Sequence, residues 1–427
     1  MSIEDIHSLF LSSSGISTDT RAIQSGNLFF ALKGPSFNAN ALASEALSKG
    51  AMYAIVDEES YVLGEKYILV DDALQTLQEL ARYHRSLFKG TVLALTGSNG
   101  KTTTKELINA VLTTKYNTIA TIGNLNNHIG VPLTLLRIKD DTEIAIIEMG
   151  ANHLGEIAEL CTIADPDCGL ITNIGKAHIG TFGGFENIVR AKSELYDYLI
   201  KKEGSIWLNV NDPVLKAMKD KISEPLTYPC NDCYLSAELK KNDPYLIYTS
   251  EDGEEVLTHL VGSYNFNNIA AALAVGKYFN ISSTVGNAAI AGYIPTNNRS
   301  QVIERLGNHI IMDAYNANPS SMEAALKNLA SITTSLTKTV ILGDMYELGT
   351  EEAAEHRKVG ALVRELGLKG IFVGKLMQEA AKANEDALYF STIADLTTYL
   401  KEHPFKNEWI LLKGSRGMKM ETALEFI

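Results

Sequence analysis

The segment of this chain with the clearest chemical potential is LALTGSNGKTTTKEL, in which a glycine-rich turn joins an apolar run to a helix-like stretch. Gly97 and Gly100 permit backbone conformations that are closed to other residues, so N–H groups in the turn can point at phosphate oxygens. Lys101 supplies a positive charge for the β and γ phosphates, and the Thr102 hydroxyl suits Mg²⁺, which prefers oxygen ligands. A strict P-loop would have glycine where this chain has Leu95. The pattern predicts a nucleotide-phosphate site, against the alternative of an ordinary glycine-rich turn between strand and helix.

Three further side chains could bind a metal. Glu148 ends a buried-type apolar run, so it is either a strand-end cap or a magnesium ligand, and a neighbouring phosphate turn favours the ligand. His178 lies in a glycine-rich loop after another apolar run, where parallel sheets place their ligands, although a lone histidine is more often structural. Lys192 stands on a helix-like stretch among apolar and acidic neighbours, and taken alone it is a surface lysine.

Polar clusters later in the chain leave two interpretations open. Asn265, Asn267 and Asn268 precede an alanine-rich helix, where asparagine either caps the helix or pairs with an adenine edge. Residues at or just after the late strands are commonly structural, but the stretch Lys413–Arg416 is also suited to holding a carboxylate or phosphate. The other late residues of this kind are Asp313, Asn316 and Asp344.

The elements that must position these residues alternate between strand and helix patterns. Predicted strands cover residues 27–32, 51–56, 91–97, 143–150, 168–175, 309–319, 338–345, 369–374 and 408–415, and predicted helices include 40–50, 73–88 and 101–113. This alternation predicts an α/β fold with parallel sheets, whose ligands lie at the carboxyl ends of strands. We expect three domains: a small N-terminal α/β domain (1–88), a central P-loop-type domain with a mostly parallel sheet and helices on both faces (89–298), and a Rossmann-like C-terminal domain (299–427).

Composition narrows the class of protein. A net charge of −13 over 427 residues argues against a general nucleic-acid or membrane-surface binder. No apolar run approaches the ~20 residues that a transmembrane helix needs, and the acidic N-terminal segment does not resemble a signal peptide. Four cysteines do not make a disulfide scaffold, so we expect a reduced, cytoplasmic protein in which Cys230 and Cys233 are ordinary thiols.

Nearly the whole chain resembles the Mur ligase family, the ATP-dependent amide-forming enzymes of peptidoglycan synthesis. The family's ATP turn, TGSxGKTTTKE, matches residues 96–106 and also lacks the first P-loop glycine. Residues 123–136, 148–157 and 191–199 match further central motifs. The stretches DAYNANPSSM, LGDMYELG and KGSRGMKME resemble the member that adds a dipeptide. The member that adds the third residue has a DYAHTPD-like stretch and a DNPR motif instead.

The resemblance implies ATP-dependent addition of D-alanyl-D-alanine to UDP-N-acetylmuramoyl-tripeptide through an acyl phosphate. The sequence does not fix the oligomeric state, and a monomer is the simplest expectation. It implies that the catalytic residues are Lys101, Glu148, His178 and Lys192. Thr102 and Glu148 would hold one Mg²⁺, and His178 and Lys192 a second, with Lys192 carbamylated. The implied ATP-binding residues are Gly97, Ser98, Asn99, Gly100, Lys101, Thr102, Thr103, Asn268, Arg299, Asp313 and Asn316. The implied substrate-binding residues are Ser17, Thr18, Asp19, Arg21, Asn126, Asn127, Asn152, Lys413 and Arg416. One departure from the family is Asn38-Ala39-Asn40, where an Asp-Gly-His-like stretch is common.

Two alternative functions remain open from the sequence. One is another ATP-dependent ligase of the same superfamily, such as the third-residue Mur ligase or a folylpolyglutamate synthase, and the DAYNANP and GDMYELG stretches count against both. The other is a nucleotide-binding regulatory protein without catalysis. The presence of all four implied catalytic residues counts against it, because a binder has no need of a second metal site.

Overall fold

Two six-stranded sheets dominate the structure, a computed structural model that describes residues 1–296 and 298–427. A four-stranded sheet precedes them, and a three-stranded sheet lies between them in the chain. Most of the strands run parallel, which confirms the predicted α/β class. Strands buried on both faces read as continuous apolar runs, and this is why the central strands were recognisable in the sequence.

The N-terminal segment forms a parallel sheet of order β1-β2-β5-β6, with a two-residue hairpin, β3–β4, beside it. Its elements are α1 (Ile3–Ser12), β1 (Ile16–Ser17), β2 (Leu28–Phe30), β3 (Lys33–Gly34), β4 (Phe37–Asn38), α2 (Ala43–Ser48), β5 (Tyr53–Val56), β6 (Tyr67–Leu69) and α3 (Ala73–Leu87). The predicted helix over 40–50 begins instead as a 3-10 turn, Ala39–Leu42, because the Asn38 side chain accepts a hydrogen bond from the Asn40 backbone.

The central sheet is parallel throughout and has the order β12-β11-β10-β7-β9-β8. Its elements are β7 (Thr91–Thr96), α4 (Lys101–Leu112), β8 (Thr118–Ala120), α5 (Gly130–Leu135), β9 (Ile144–Glu148), α6 (Glu156–Ala164), β10 (Cys168–Ile171), α7 (Ile179–Phe182), α8 (Phe185–Lys202), β11 (Ser205–Asn209), α9 (Pro213–Lys216) and β12 (Leu226–Tyr228). The three strands that carry the predicted site residues, β7, β9 and β10, are adjacent, so their carboxyl ends meet at one edge.

An antiparallel sheet follows, which the sequence analysis did not predict. It consists of β13 (Glu238–Asn242), β14 (Tyr245–Thr249) and β15 (Glu255–Val261), and the helices α10 (Asn265–Tyr278) and α11 (Ser283–Gly292) come next. The alanine-rich α10 packs closely on α4: a Cβ built on Gly276 would lie 2.6 Å from a methyl carbon of Val111. The prediction that small residues serve close helix packing here is confirmed.

The C-terminal sheet has the order β16-β17-β21-β18-β19-β20. Its elements are β16 (Gln301–Arg305), β17 (Asn308–Asp313), α12 (Pro319–Ser331), β18 (Thr337–Gly343), α13 (Glu352–Glu365), β19 (Lys369–Val373), α14 (Gln378–Ala383), β20 (Leu388–Phe390), α15 (Ile393–Glu402) and β21 (Glu408–Lys413). The edge strand β16 is antiparallel to β17; the other pairs are parallel. Further 3-10 helices cover Thr20–Ala22, Glu59–Tyr61, Lys219–Lys221, Gly349–Glu351, Arg416–Met418 and Met420–Phe426. None of the helices in the described ranges is long and apolar enough to cross a membrane.

Helix α3 docks the N-terminal segment onto the central helices through Arg85. Its buried guanidinium donates to the carbonyls of Ala164 and Asp165, at 3.0 and 2.9 Å. It also donates to the Asp167 carboxylate at 2.9 Å. These acceptors lie at the C-terminal end of α6 and just beyond it, where a positive charge is favourable.

We expect Arg85→Ala to lower the free energy of unfolding by about 3 kcal/mol, because it removes three hydrogen bonds from a buried, charged donor and leaves the Ala164 carbonyl without that donor. Arg82→Ala is the matched control: the exposed Arg82 lies on the same helix and donates to the Thr162 carbonyl at 3.1 Å, and its loss should cost under about 1 kcal/mol. Urea titration followed by circular dichroism measures both, and equal losses would contradict the anchoring role of Arg85.

Candidate active site

A cavity of about 770 Å³ lies at the carboxyl edge of the central sheet, closed on one side by the C-terminal sheet. Its walls come from the turn after β7, the loops after β8, β9 and β10, and the start of α10. The C-terminal part adds the segment before β16, the segment after β17 and the end of β21. The structure brings to this cavity most of the residues predicted for ATP, metal and catalysis: Ser98, Asn99, Gly100, Lys101, Thr102, Thr103, Glu148, His178, Asn268, Arg299, Asp313 and Asn316. Among the predicted substrate residues, Asn126, Asn127, Asn152 and Lys413 also line it.

The glycine turn has the backbone shape that a phosphate cradle needs. Gly100 precedes α4 with a left-handed φ of +77°, and a Cβ there would lie 2.6 Å from the Asn268 side-chain oxygen. A Cβ on Gly97 would lie 2.0 Å from the Thr172 hydroxyl. The Lys101 ammonium folds back onto the Gly97 carbonyl, 2.7 Å away, and burial lowers the pKa of Lys101. Because the turn's own carbonyls hold this cation, it is already positioned beside the place that phosphates would take.

The loop after β10 braces the turn from behind. The Asn99 N–H donates to the Asn173 side chain at 3.0 Å, and the Asn99 carbonyl accepts from the Thr172 hydroxyl at 2.7 Å. The Ser98 hydroxyl and Gly175 exchange two hydrogen bonds, at 2.9 and 2.8 Å. The sequence analysis noted only that β10 ends in polar residues and did not predict that they support the turn.

Glu148 is a buried carboxylate, 1% exposed, at the end of β9. One of its oxygens accepts from the Thr102 hydroxyl and the other from the Asn126 amide, both at 2.8 Å. Its backbone N–H donates to the Thr121 hydroxyl at 2.9 Å. A carboxylate beside a hydroxyl at a phosphate turn fits a magnesium ion that takes its remaining oxygens from phosphate and water. In residues 1–296 and 298–427 no group of three or more His, Cys, Asp or Glu side chains could hold a metal.

Lys192 is not the surface lysine that its neighbours in the sequence suggested. It is 2% exposed, its ammonium makes one long hydrogen bond, 3.5 Å to the Ala151 carbonyl, and it lies 5.6 Å from the centre of the Phe182 ring. Burial, with Lys101 nearby, lowers the pKa of Lys192 to about 7. The amphipathic spacing of α8 turns this position inward.

His178 bridges the two large sheets. Its Nδ1 contacts the Glu347 carboxylate of the loop after β18, and its side chain is a quarter exposed, at 24%. Burial is the largest influence on the pKa of His178 and lowers it, against the Glu347 charge, which raises it.

The two cations of the stretch Lys413–Arg416 are each paired within the protein, and the role of this stretch toward an anion stays a prediction. Lys413 is 1% exposed and donates to the Asp313 carboxylate at 2.6 Å and to the Asn316 carbonyl at 3.2 Å, so its charge is already paired. Arg416 pairs with Glu421 at 3.2 Å with its side chain 61% exposed. In this structure the two cations therefore have different carboxylate partners.

Arg299 and Tyr315 face the cavity together. The Arg299 guanidinium lies over the Tyr315 ring at 3.6 Å from its centre, and its Nε is buried with no hydrogen-bond partner in the described part of the chain. An unsatisfied buried donor favours a bound acceptor at this place. Tyr315 was missed from the sequence, although an aromatic residue directly after a strand was the available signal.

Other predicted residues have different surroundings. The Asn268 amide is occupied within the protein, accepting from the Thr104 hydroxyl at 3.0 Å and donating to Asn265 at 2.9 Å, so its role toward adenine stays a prediction. The N-terminal group Ser17, Thr18, Asp19 and Arg21 does not contribute to the cavity wall. There the Arg21 guanidinium lowers the pKa of Asp19 to about 2.

The expectation of two ordinary thiols at Cys230 and Cys233 is wrong, since the structure joins them in a disulfide. The turn that separates them brings their Cα atoms within 5.0 Å, a separation that spacing alone does not determine. This turn follows β12, and neither cysteine contributes to the cavity wall.

Comparison with known proteins places these features in a family. Residues 95–276 match the Mur ligase middle domain and residues 298–416 the Mur ligase glutamate ligase domain. A Bacillus subtilis protein named UDP-N-acetylmuramoyl-tripeptide–D-alanyl-D-alanine ligase is 35% identical over 422 residues, which span 96% of this chain and 92% of that protein. The chain belongs to the Mur ligase family. A protein of the same name from Escherichia coli is 32% identical over 423 residues, 96% of this chain and 92% of its own length.

Solved Mur ligase structures have the same fold. MurF from Acinetobacter baumannii superimposes with a TM-score of 0.85 at 31% identity, over 96% of this chain and 92% of that one. MurF from Thermotoga maritima, solved in complex with ADP, gives a TM-score of 0.86 at 27% identity, over 97% of each chain. The predicted fold class and family are therefore confirmed.

We expect Gly100→Ala to weaken ADP binding at least about 10-fold, because the new Cβ displaces the Asn268 amide from its buried hydrogen bonds at the start of α4. Gly253→Ala is a close control: Gly253 has a φ of +78°, but no atom lies within 4 Å of a Cβ built there. Both variants carry about 1–2 kcal/mol of left-handed strain, so only the first should lose affinity in calorimetric titration. Equal affinities would contradict the close contact.

Proposed function

We propose that this protein is the ligase that joins D-alanyl-D-alanine to UDP-N-acetylmuramoyl-tripeptide at the expense of ATP. The observation that carries the proposal is the similarity, along 96% of the chain, to proteins of that name. The arrangement of Gly100, Lys101, Thr102 and Glu148 around one cavity supports it, because these groups suit a nucleotide phosphate and a metal. We also propose a cytoplasmic monomer that divides into three parts near residues 88 and 298.

The proposed reaction has two steps. The γ-phosphate of ATP passes to the terminal carboxylate of the tripeptide, which forms an acyl phosphate and leaves ADP. The amine of the dipeptide then attacks the acyl carbon and loses a proton. The bond between the acyl carbon and the phosphate oxygen breaks, and inorganic phosphate leaves. Lys101 and Arg299 neutralise the charge of the transferring group, and the wall from the C-terminal sheet keeps water from the acyl phosphate.

The proposed metal ligands divide into two sets. Thr102 and Glu148 would hold one Mg²⁺ and His178 with Lys192 a second, and Mg²⁺ bound there would neutralise phosphate charge. An ammonium does not ligate a cation, so Lys192 fits the second set only after modification. A neutral Lys192 amine can add CO₂, forming one N–C bond and releasing one proton, and the resulting carbamate presents oxygen ligands. The burial of Lys192 and its lowered pKa support this, because both favour the neutral amine.

The function is tested by phosphate release from the purified protein with ATP, Mg²⁺ and UDP-N-acetylmuramoyl-tripeptide, with and without D-alanyl-D-alanine. We expect release that depends on the dipeptide and a product heavier by the dipeptide less water, seen by mass spectrometry. Release that requires a single amino acid instead would move the protein to another Mur ligase activity. ATP binding without turnover on any acceptor would contradict the proposal altogether.

The carbamate is tested by ¹³C NMR under a fixed pressure of ¹³CO₂. We expect a carbamate signal that Lys192→Ala lacks and that grows as the pH rises through about 7, since the neutral amine predominates above its pKa. Lys192→Ala should lose at least about 100-fold in activity and regain part of it with added acetate. Lys201→Ala, at an exposed lysine of the same helix, should keep both the carbamate signal and the activity. The carbamate would be excluded if the wild-type protein gave no carbamate signal and acetate restored no activity to a folded Lys192→Ala variant.

A further inference from the structure

The contact between His178 and Glu347 joins the proposed second metal site to the C-terminal sheet. Besides the side-chain contact through Nδ1, the Gly180 N–H donates to the Glu347 carbonyl at 3.1 Å. The two loops touch backbone to backbone: a Cβ built on Gly180 would lie 2.6 Å from the Gly349 nitrogen. The position of the Glu347 carboxylate relative to the imidazole is therefore set by the main chain of both loops.

Both partners adopt a backbone conformation that L-residues rarely take. The φ angle is +57° at His178 and +65° at Glu347, and the first residue directly precedes α7. Such conformations persist where the surroundings determine them and are concentrated at functional sites. Neither residue is glycine, so each has a side chain at this unusual backbone position. The two side chains meet at the contact between Nδ1 and the carboxylate.

The contact distinguishes the two nitrogens of the ring. A carboxylate at Nδ1 requires that this nitrogen carry a proton, which leaves Nε2 of a neutral ring as an acceptor. Nε2 makes no hydrogen bond within residues 1–296 and 298–427, and the residue lines the cavity. Histidines that bind metals commonly donate their other ring N–H to a carboxylate in this manner.

We propose that Glu347 is a positioning residue that fixes the tautomer and orientation of His178, so that Nε2 is available as a ligand only when the C-terminal sheet is docked. The proposal rests on the function proposed above for His178. It makes the second metal site dependent on two sheets, because the ligand comes from one and the group that orients it from the other.

Docking of the two sheets does not depend on the Glu347 side chain alone. The Asn318 amide donates to the Asn99 side chain of the phosphate turn at 2.7 Å, and the Lys176 N–H donates to the Ser320 hydroxyl at 3.2 Å. Replacing the Glu347 carboxylate therefore leaves these two hydrogen bonds in place. It also leaves the hydrogen bond from the Gly180 N–H to the Glu347 carbonyl. A positioning role is thereby separable from a purely structural one.

The test is Glu347→Gln in the full chain, which keeps the length of the side chain but removes its charge and offers an N–H₂ group to Nδ1. Electron paramagnetic resonance counts Mn²⁺ bound in the presence of ADP. We expect one ion to bind as in the wild type and the second at least about 10-fold more weakly, with kcat reduced 10- to 100-fold and the KM for ATP nearly unchanged. Glu351→Gln, at an exposed carboxylate nearby, should change neither Mn²⁺ binding nor kcat.

A double-mutant cycle completes the experiment. If Glu347 acts through His178, then His178→Ala loses the second Mn²⁺ and Glu347→Gln adds nothing to that variant. Additive losses, or unchanged Mn²⁺ binding in Glu347→Gln, would overturn the positioning role while leaving the proposed ligase function intact. If His178→Ala retained both ions, the metal assignment itself would fall, and the positioning role with it.

Discussion

A buried negative charge, that of Glu148, is the constraint around which the central site is organised. An ionised group that is 1% exposed costs several kcal/mol unless hydrogen bonds and opposite charges compensate it. Thr102 and Asn126 each donate to one of its oxygens. Lys105, 3% exposed, brings a positive charge from the same helix as Thr102 and donates to the Thr121 carbonyl at 2.6 Å, while the Thr121 hydroxyl accepts from the Glu148 N–H. The phosphate turn, the end of β8 and the loop beyond it are thus held together around one carboxylate, which stands where a metal would share it with phosphate.

The second constraint is that the site is divided between two sheets. The central sheet supplies the phosphate turn and the carboxylate, whereas the C-terminal sheet supplies Asp313, with Arg299 and Tyr315 close to it. The contacts that join them at the cavity include hydrogen bonds between side chains, such as that of Asn318 to Asn99. The wall that the C-terminal sheet contributes closes one side of the cavity. The division also explains why residues far apart in the chain line the same cavity.

Much of the fold could be predicted because local patterns agree with tertiary needs. The continuous apolar runs that became β7, β9 and β10 are buried on both faces, and the glycine turn before α4 follows from the φ angles that only glycine adopts readily. Prediction failed at two features whose partners lie close together in the sequence. The antiparallel sheet β13–β15 alternates exposed and buried residues and has no motif of its own. The disulfide of Cys230 and Cys233 depends on a turn that spacing does not reveal.

The sequence by itself determined the chemistry available to this protein: a lysine and a threonine at a glycine turn, a carboxylate at the end of a buried strand, and family motifs along nearly the whole chain. Those features are local, because they rest on residue type and on a few neighbouring dihedral angles. The tertiary structure alone decided which side chains are free to act. It buried Lys192 and lowered its pKa, it paired Lys413 with Asp313 so that its charge is used within the protein, and it brought Glu347 to His178 from another sheet. The physical reason is that desolvation and charge pairing depend on neighbours that the fold brings together from distant parts of the chain.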